Sequence, residues 1–360
     1  LGLCLSLPST FSSVVSASFR INRKVKIIAT SSLLNVASSI IMTLLLVIKF
    51  KMGMLGSLLG NLTGNLLASL FIVIRAPRFT FPDINFEKVK DLLRYSTPTL
   101  LAQLFGLTIP LYSQWSIKDL LSLQQLGLYA IALKFTIPLT VVLTMFQQAY
   151  APYKFQILKT DKDPKKVFIQ IMNLFVFCFG TGIIIVTLFA GDVLKFMTAP
   201  SYHESAIFVF YLALIPFAQG LYFMFSTGME FAKSPVYRPL ISGLGLLTVL
   251  ILNKYLIEKF GIPGAAISIV CSWLSMALGN LIYSQFLYRI KYNWFLIFGV
   301  VAGTITIGFM INKYLQEMFL MKMGIMIAIA GGAFLLAKKM TNGKLSLGFI
   351  KAFSTKKLNE

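Results

Sequence analysis

The chain has 360 residues, of which 57% are hydrophobic and only 12% charged, with a mean hydropathy of +0.80. A soluble chain carries about twice that charge, so composition excludes a soluble globular domain and indicates an all-α integral membrane protein. The 33 basic against 12 acidic residues, net +21, would suit nucleic acid, but they gather in short loops between apolar runs. They therefore read as topology signals, with no nucleic acid implied.

Eleven apolar runs are long enough to span a bilayer: 1–18, 27–48, 54–74, 93–115, 121–149, 167–190, 201–226, 237–253, 262–288, 293–312 and 319–337. The chain opens inside a Ser-rich apolar stretch without a methionine, and its true start is expected to be missing. Residues 1–74 read as the C-terminal part of a first lobe. The 75–92 stretch is a cytoplasmic linker, with a short amphipathic piece at Phe86–Leu93. Residues 93–288 form a second lobe of six helices, 289–337 add two spans, and 338–360 make a basic tail.

The run at 121–149 reads as one helix with Lys134 near its middle, about 16 Å from either surface. A lysine stem cannot bring its charge to water from that depth, and such a charge faces a bundle interior or a wet cavity. Pro138 deprives the Lys134 carbonyl of its helical partner. Gly127, Lys134, Val141, Met145 and Gln148 share one face of that helix. Two readings stand: a lysine held by neighbouring helices for packing, or a cationic site in a transport cavity. The loop at 150–166 follows, carrying Lys154. Pro110 and Pro216 break helices on either side, and His203 lies in a solvated Ser-Tyr-His-Glu-Ser turn.

Loop charge gives orientation. Alternate loops and the tail carry 24 basic residues, the other set 8, and Lys134 makes up the 33. The richer set belongs in the cytoplasm, with the C-terminus. An internal repeat agrees. Lys51-Met52-Gly53-Met54-Leu55-Gly56-Ser57 matches Lys259-Phe260-Gly261-Ile262-Pro263-Gly264-Ala265, each opening a span in the same orientation. The pattern is that of two parallel-repeat lobes. If both halves begin alike, three more spans precede residue 1, for fourteen in all.

No phosphate loop, His-x-x-x-His pair or paired carboxylate lies in a span, so no enzymatic step and no cofactor is expected. Cys4, Cys178 and Cys271 lie in apolar segments, without metal-site spacing. The acids sit at or beyond helix ends, while the deep charge is positive. The polar residues inside spans are uncharged: Asn35, Asn61, Asn65, Gln103, Gln114, Asn173, Gln219 and Asn280. They suit helix–helix contacts or a cavity wall. A positive site with amides and aromatics suits a large anionic, sugar-bearing ligand. Lys134, Gln148, Tyr129, Gln114, Gln103 and Gln219 are the candidate substrate-binding residues of a central cavity.

Leu93-Arg94-Tyr95-Ser96-Thr97-Pro98 resembles the start of the second half of bacterial polysaccharide flippases. Gly127-Leu128-Tyr129-Ala130-Ile131-Ala132-Leu133-Lys134, followed by Phe146-Gln147-Gln148-Ala149-Tyr150-Ala151-Pro152, is similar to that family's most recognisable segment. Gly261-Ile262-Pro263-Gly264-Ala265-Ala266 resembles its later helix start. The family is the O-antigen and capsule repeat-unit flippase group of the multidrug/oligosaccharidyl-lipid/polysaccharide superfamily. The resemblance implies a fourteen-helix protein of the bacterial inner membrane that flips an undecaprenyl-diphosphate-linked oligosaccharide by alternating access. Its partners would be that lipid-linked oligosaccharide, membrane lipids, and a polysaccharide polymerase with its chain-length machinery. Many members carry an Asp-Arg pair where this chain has Ser113-Gln114. The rivals are a cation-coupled small-molecule exporter of the same fold and an O-antigen polymerase. Outside loops of about 5–10 residues argue against the polymerase.

Overall fold

The structure is a computed structural model that describes residues 15, 19, 25–75, 86–160, 163–231, 237–314 and 324. The described residues are helical throughout, apart from short connections. The expected spans 1–18 and 319–337, and with them any total of fourteen, lie outside the described residues. So does the basic tail at 338–360.

Seven described helices are long and apolar enough to cross a membrane, and a bent pair makes an eighth. The protein is thus a multi-pass membrane protein. Its surface agrees: Phe295 and Phe196 are each 92% exposed, as lipid-facing side chains are. The chain divides into two units, 1–85 and 86–360.

In the first unit, α1 (Val25–Leu44) runs on through a π-helical turn at Leu45–Lys49 and packs against α2 (Gly53–Arg75). Glycine recurs every four residues along α2. A side chain at Gly56 would meet Leu46, one at Gly60 would meet Thr43, and one at Gly64 would meet Asn35 and Ser39. The partners descend as the glycines ascend, so the helices are antiparallel and pack at backbone contact. Polar side chains fasten the pair: Asn35 Nδ2 donates to Asn65 Oδ1 (3.1 Å), and Ser39 Oγ to Asn61 Oδ1 (3.2 Å).

The second unit begins with α3 (Phe86–Leu120), then α4 (Leu123–Phe135), α5 (Ile137–Thr160) and α6 (Pro164–Met197). A 3-10 turn (Pro200–Ser205) leads into α7 (Ala206–Phe225) and the short α8 (Thr227–Phe231). The last described helices are α9 (Arg238–Phe260), α10 (Ile262–Leu287) and α11 (Trp294–Tyr314). Its core is aromatic: Phe146 lies 5.2 Å from Phe175, and Phe175 4.5 Å from Phe179, centroid to centroid. Gly220 on α7 lets the Phe175 ring lie against its backbone.

The hairpin of α9 and α10 repeats the device of the first unit. Small residues Gly264, Ser268 and Ser272 again recur every four positions. A Cβ at Gly264 would collide with the Leu256 backbone, and Ser272 Oγ donates to Gly245 O (2.6 Å).

Several expectations need correction. The amphipathic piece and the following span are one 35-residue helix, α3, which runs through Pro98 and Pro110. Even its charge-free stretch carries Gln103, Gln114, Ser113, Ser116, Thr108 and Pro110, which leaves it less apolar than the other spans. Pro216 likewise lies inside continuous α7. Each proline removes one N–H, which a long packed helix tolerates. The 121–149 run is two helices, bent by 47° at Thr136. No loop spans 150–166: α5 continues through Pro152 to Thr160. His203 is half-buried, its Nε2 3.2 Å from Thr198 O.

Candidate functional site

The bend is built from hydroxyls and a proline. Ser122 caps α4, its Oγ accepting from Gln125 N–H (3.1 Å). At the other end Thr136 turns its N–H to Leu133 O (3.1 Å), and its Oγ1 donates to the same carbonyl (2.8 Å). Pro138 is the second residue of α5, where a helix has no intrahelical use for an N–H. Pro138 therefore starts a helix; it does not break one in the middle.

This relocates Lys134. It stands in the last turn of α4, exposed, with no ion-pair or hydrogen-bond partner among the described residues. A cation there complements the helix dipole. The five-residue face predicted for a straight helix is divided by the bend. Its α5 portion persists: Val141 and Met145 are 42% and 64% exposed, and Gln148 is exposed beside them.

On α3, Gln103 is exposed and Gln114 half-buried; eleven residues apart, they share one helix face. Gln219 on α7 is half-buried. Tyr129 is only 1% exposed and packs in an apolar cluster with Val209, Leu212 and Ile215. It lies five positions from Lys134, on the opposite side of α4, so the structure does not bring these two together.

Sequence reasoning missed a second polar centre. Lys154 on α5 is wholly buried and pairs with Glu230 on α8. Its Nζ lies 5.1 Å from the Phe223 ring centroid and 5.7 Å from those of Tyr150 and Phe155. The rings replace some of the hydration that the ammonium loses. Ser226 Oγ donates to Glu230 Oε1 (2.9 Å), and Arg238 Nη2 stands 3.7 Å from the same oxygen. The one available signal was that Glu230 is the sole acid between Glu204 and Glu258.

A third centre is neutral. Asn253 Oδ1 accepts from Ser268 Oγ (2.6 Å) and Ser113 Oγ (3.3 Å), joining α9, α10 and α3, with all three side chains wholly buried. The Ser113-Gln114 position thus contributes a neutral helix tie. Among the described residues no group of three His, Cys, Asp or Glu is placed to hold a metal.

A family model described as "Polysaccharide biosynthesis protein" matches residues 2–207. No curated protein matches the chain significantly. Two solved structures are similar. One is a proline-to-alanine mutant of a MATE protein: TM-score 0.57 and 17% identity, covering 77% of this chain and 65% of that one. The other is the Vibrio cholerae MATE transporter VcmN in its bent form: TM-score 0.55 and 14% identity, covering 85% and 69%. At these identities the likeness is one of fold, and the chain spans just under two thirds of the first of these structures.

Proposed function

We propose a transport role for this chain, which belongs to the polysaccharide biosynthesis protein family: it carries an undecaprenyl-diphosphate-linked oligosaccharide repeat unit across the bacterial cytoplasmic membrane. The observation that supports this most is Lys134, an exposed cation with no partner among the described residues, at the bend between two apolar helices. A diphosphate is drawn to such a point charge. Gln148 on the exposed face of α5, with Gln103 and Gln114 on one face of α3, offers amides to sugar hydroxyls. The bend gives two rigid arms that can change their angle, as alternating access requires. No covalent step is needed.

In this reading the 24 basic residues of one loop set and the tail face the cytoplasm, with the C-terminus. The repeat unit is delivered for surface polysaccharide assembly, where a polymerase and its chain-length machinery act on it. The fold likeness to MATE proteins makes a cation-coupled small-molecule exporter the rival.

The test is a flipping assay in proteoliposomes containing the purified protein and a fluorescent polyprenyl-diphosphate oligosaccharide. Protein-dependent exposure of inner-leaflet label to an impermeant quencher is expected. No acceleration over empty vesicles, together with ion-driven efflux of a cationic dye, would replace this reading with the exporter.

A further inference from the structure

The Lys154–Glu230 centre is not explained by packing. Replacing a buried ion pair by apolar residues of similar volume is often neutral or stabilising, so a lysine wholly buried among aromatic rings and paired with a carboxylate that is 19% exposed calls for another role. The geometry shows what they could do. Lys154 on α5 is 0% exposed and engaged with Glu230; Arg238, the first residue of α9, is 22% exposed and stands at 3.7 Å from the carboxylate, beyond hydrogen-bond length. One carboxylate thus lies between two cations on two helices, one engaged and one in reach.

The carboxylate sits on a fixed mount. Gly228 N–H donates to Ser284 Oγ (2.9 Å), and no side chain fits at Gly228, so α8 is pinned to α10. Lys154 lies instead on α5, the helix that begins at the Thr136 bend and carries Gln148.

We propose that Lys154, Glu230 and Arg238 form a charge clasp that controls the position of α5, and with it the transport face. Glu230 holds Lys154 in one arrangement and passes to Arg238 in the other, as the end of α5 moves off and the Lys154 ammonium reaches water. The carboxylate is paired in both. Lys154 cannot stay in its aromatic surroundings once released, so the handover compels the helix to move. Two discrete arrangements of one charge set are what a switching element requires. The inference rests on the transport reading for its purpose, though its movement is measurable without transport.

The experiment places spin labels at Lys159 on α5 and Leu240 on α9, with the native cysteines changed to serine, and reads distance distributions in bilayers. The native charge set is expected to give two populations. Arg238→Gln removes the receiver, and the Lys154→Met/Glu230→Leu double variant removes the clasp while keeping apolar volume. Each is expected to give the single short population, normal membrane insertion and at least a tenfold loss of flipping per inserted protein. Two populations in unchanged proportion in Arg238→Gln, or one population with the native charges, would overturn the clasp. Absence of flipping in the unaltered protein would instead overturn the transport reading and leave the distance result standing.

Discussion

Gly53 and Gly261, 208 positions apart, both adopt positive φ, +52° and +64°, at the junction that opens the second helix of a hairpin. Downstream, Gly56 and Gly264 each lie against the backbone of the preceding helix. The two halves therefore share a positive-φ glycine and the same close approach, although the first junction is longer and also holds Lys51 at positive φ (53°). At Gly261 the backbone (φ 64°, ψ −136°) lies in a region essentially reserved for glycine. Gly261→Ala is expected to cost about 1–3 kcal/mol, read as a lower unfolding midpoint in detergent. Gly299 on α11, where an added Cβ would meet no atom of the described residues within 4 Å, is the control: Gly299→Ala should be neutral or stabilising. Equal effects at both sites would contradict a special role for the junction glycine.

The Asn253 centre predicts a different signature. Asn253→Ala leaves Ser113 without its partner, whereas Ser268 keeps the Ala265 carbonyl at 2.8 Å. A loss of about 1–3 kcal/mol is expected, the cost of an unsatisfied buried group. Ser113→Ala in the Asn253→Ala background removes that unsatisfied hydroxyl and should recover part of the loss. Additive losses would mean that the two side chains do not act together.

Much of the fold was legible because hydropathy and charge act over whole segments. Glycine spacing near Gly53 and Gly261 was also legible, since close helix approach needs small residues. The bend was not. Thr136-Ile137-Pro138 lies in an unbroken apolar run, and the proline reads equally as a mid-helix defect or a helix start. Lys154 was lost for a similar reason: a lysine two residues after Pro152 looks like a loop residue. Its burial depends on Glu230, 76 positions away, which no local pattern reports. Among the candidate site residues, the exposed Lys134 and Gln148 come from a polar residue in an apolar run. Tyr129 is buried among apolar side chains, and an aromatic ring in a sequence gives no sign of which side of its helix is covered.

The bend can be tested by removing its proline. Pro138→Ala restores an N–H for the Lys134 carbonyl, so α4 and α5 should become more nearly one helix. Spin labels at Leu123 and Met145 should move apart as the 47° angle opens. An unchanged distance would show that Thr136 and its tertiary contacts alone hold the bend.

Orientation follows from the 24-to-8 split of basic residues. Single cysteines at Thr160 and Thr341 should resist impermeant thiol reagents in intact cells, and one at Ser201 should react. Labelling at Thr160 from outside would reverse the assignment.

The transport reading turns on Lys134 as the group that holds the anionic part of a lipid-linked sugar. Its exposure means that Lys134→Ala removes a charge without opening a core, so the protein should insert and accumulate normally. Surface polysaccharide per unit of inserted protein, compared in Lys134→Ala, Lys134→Arg and Lys134→Glu, tests this most sharply. A fall of roughly tenfold or more is expected for Ala, equivalent to about 1.4 kcal/mol of lost interaction. Partial function is expected for Arg and the lowest output for Glu, which repels the anion. Normal output from both the Ala and Glu forms would contradict a role for Lys134 in holding the anion.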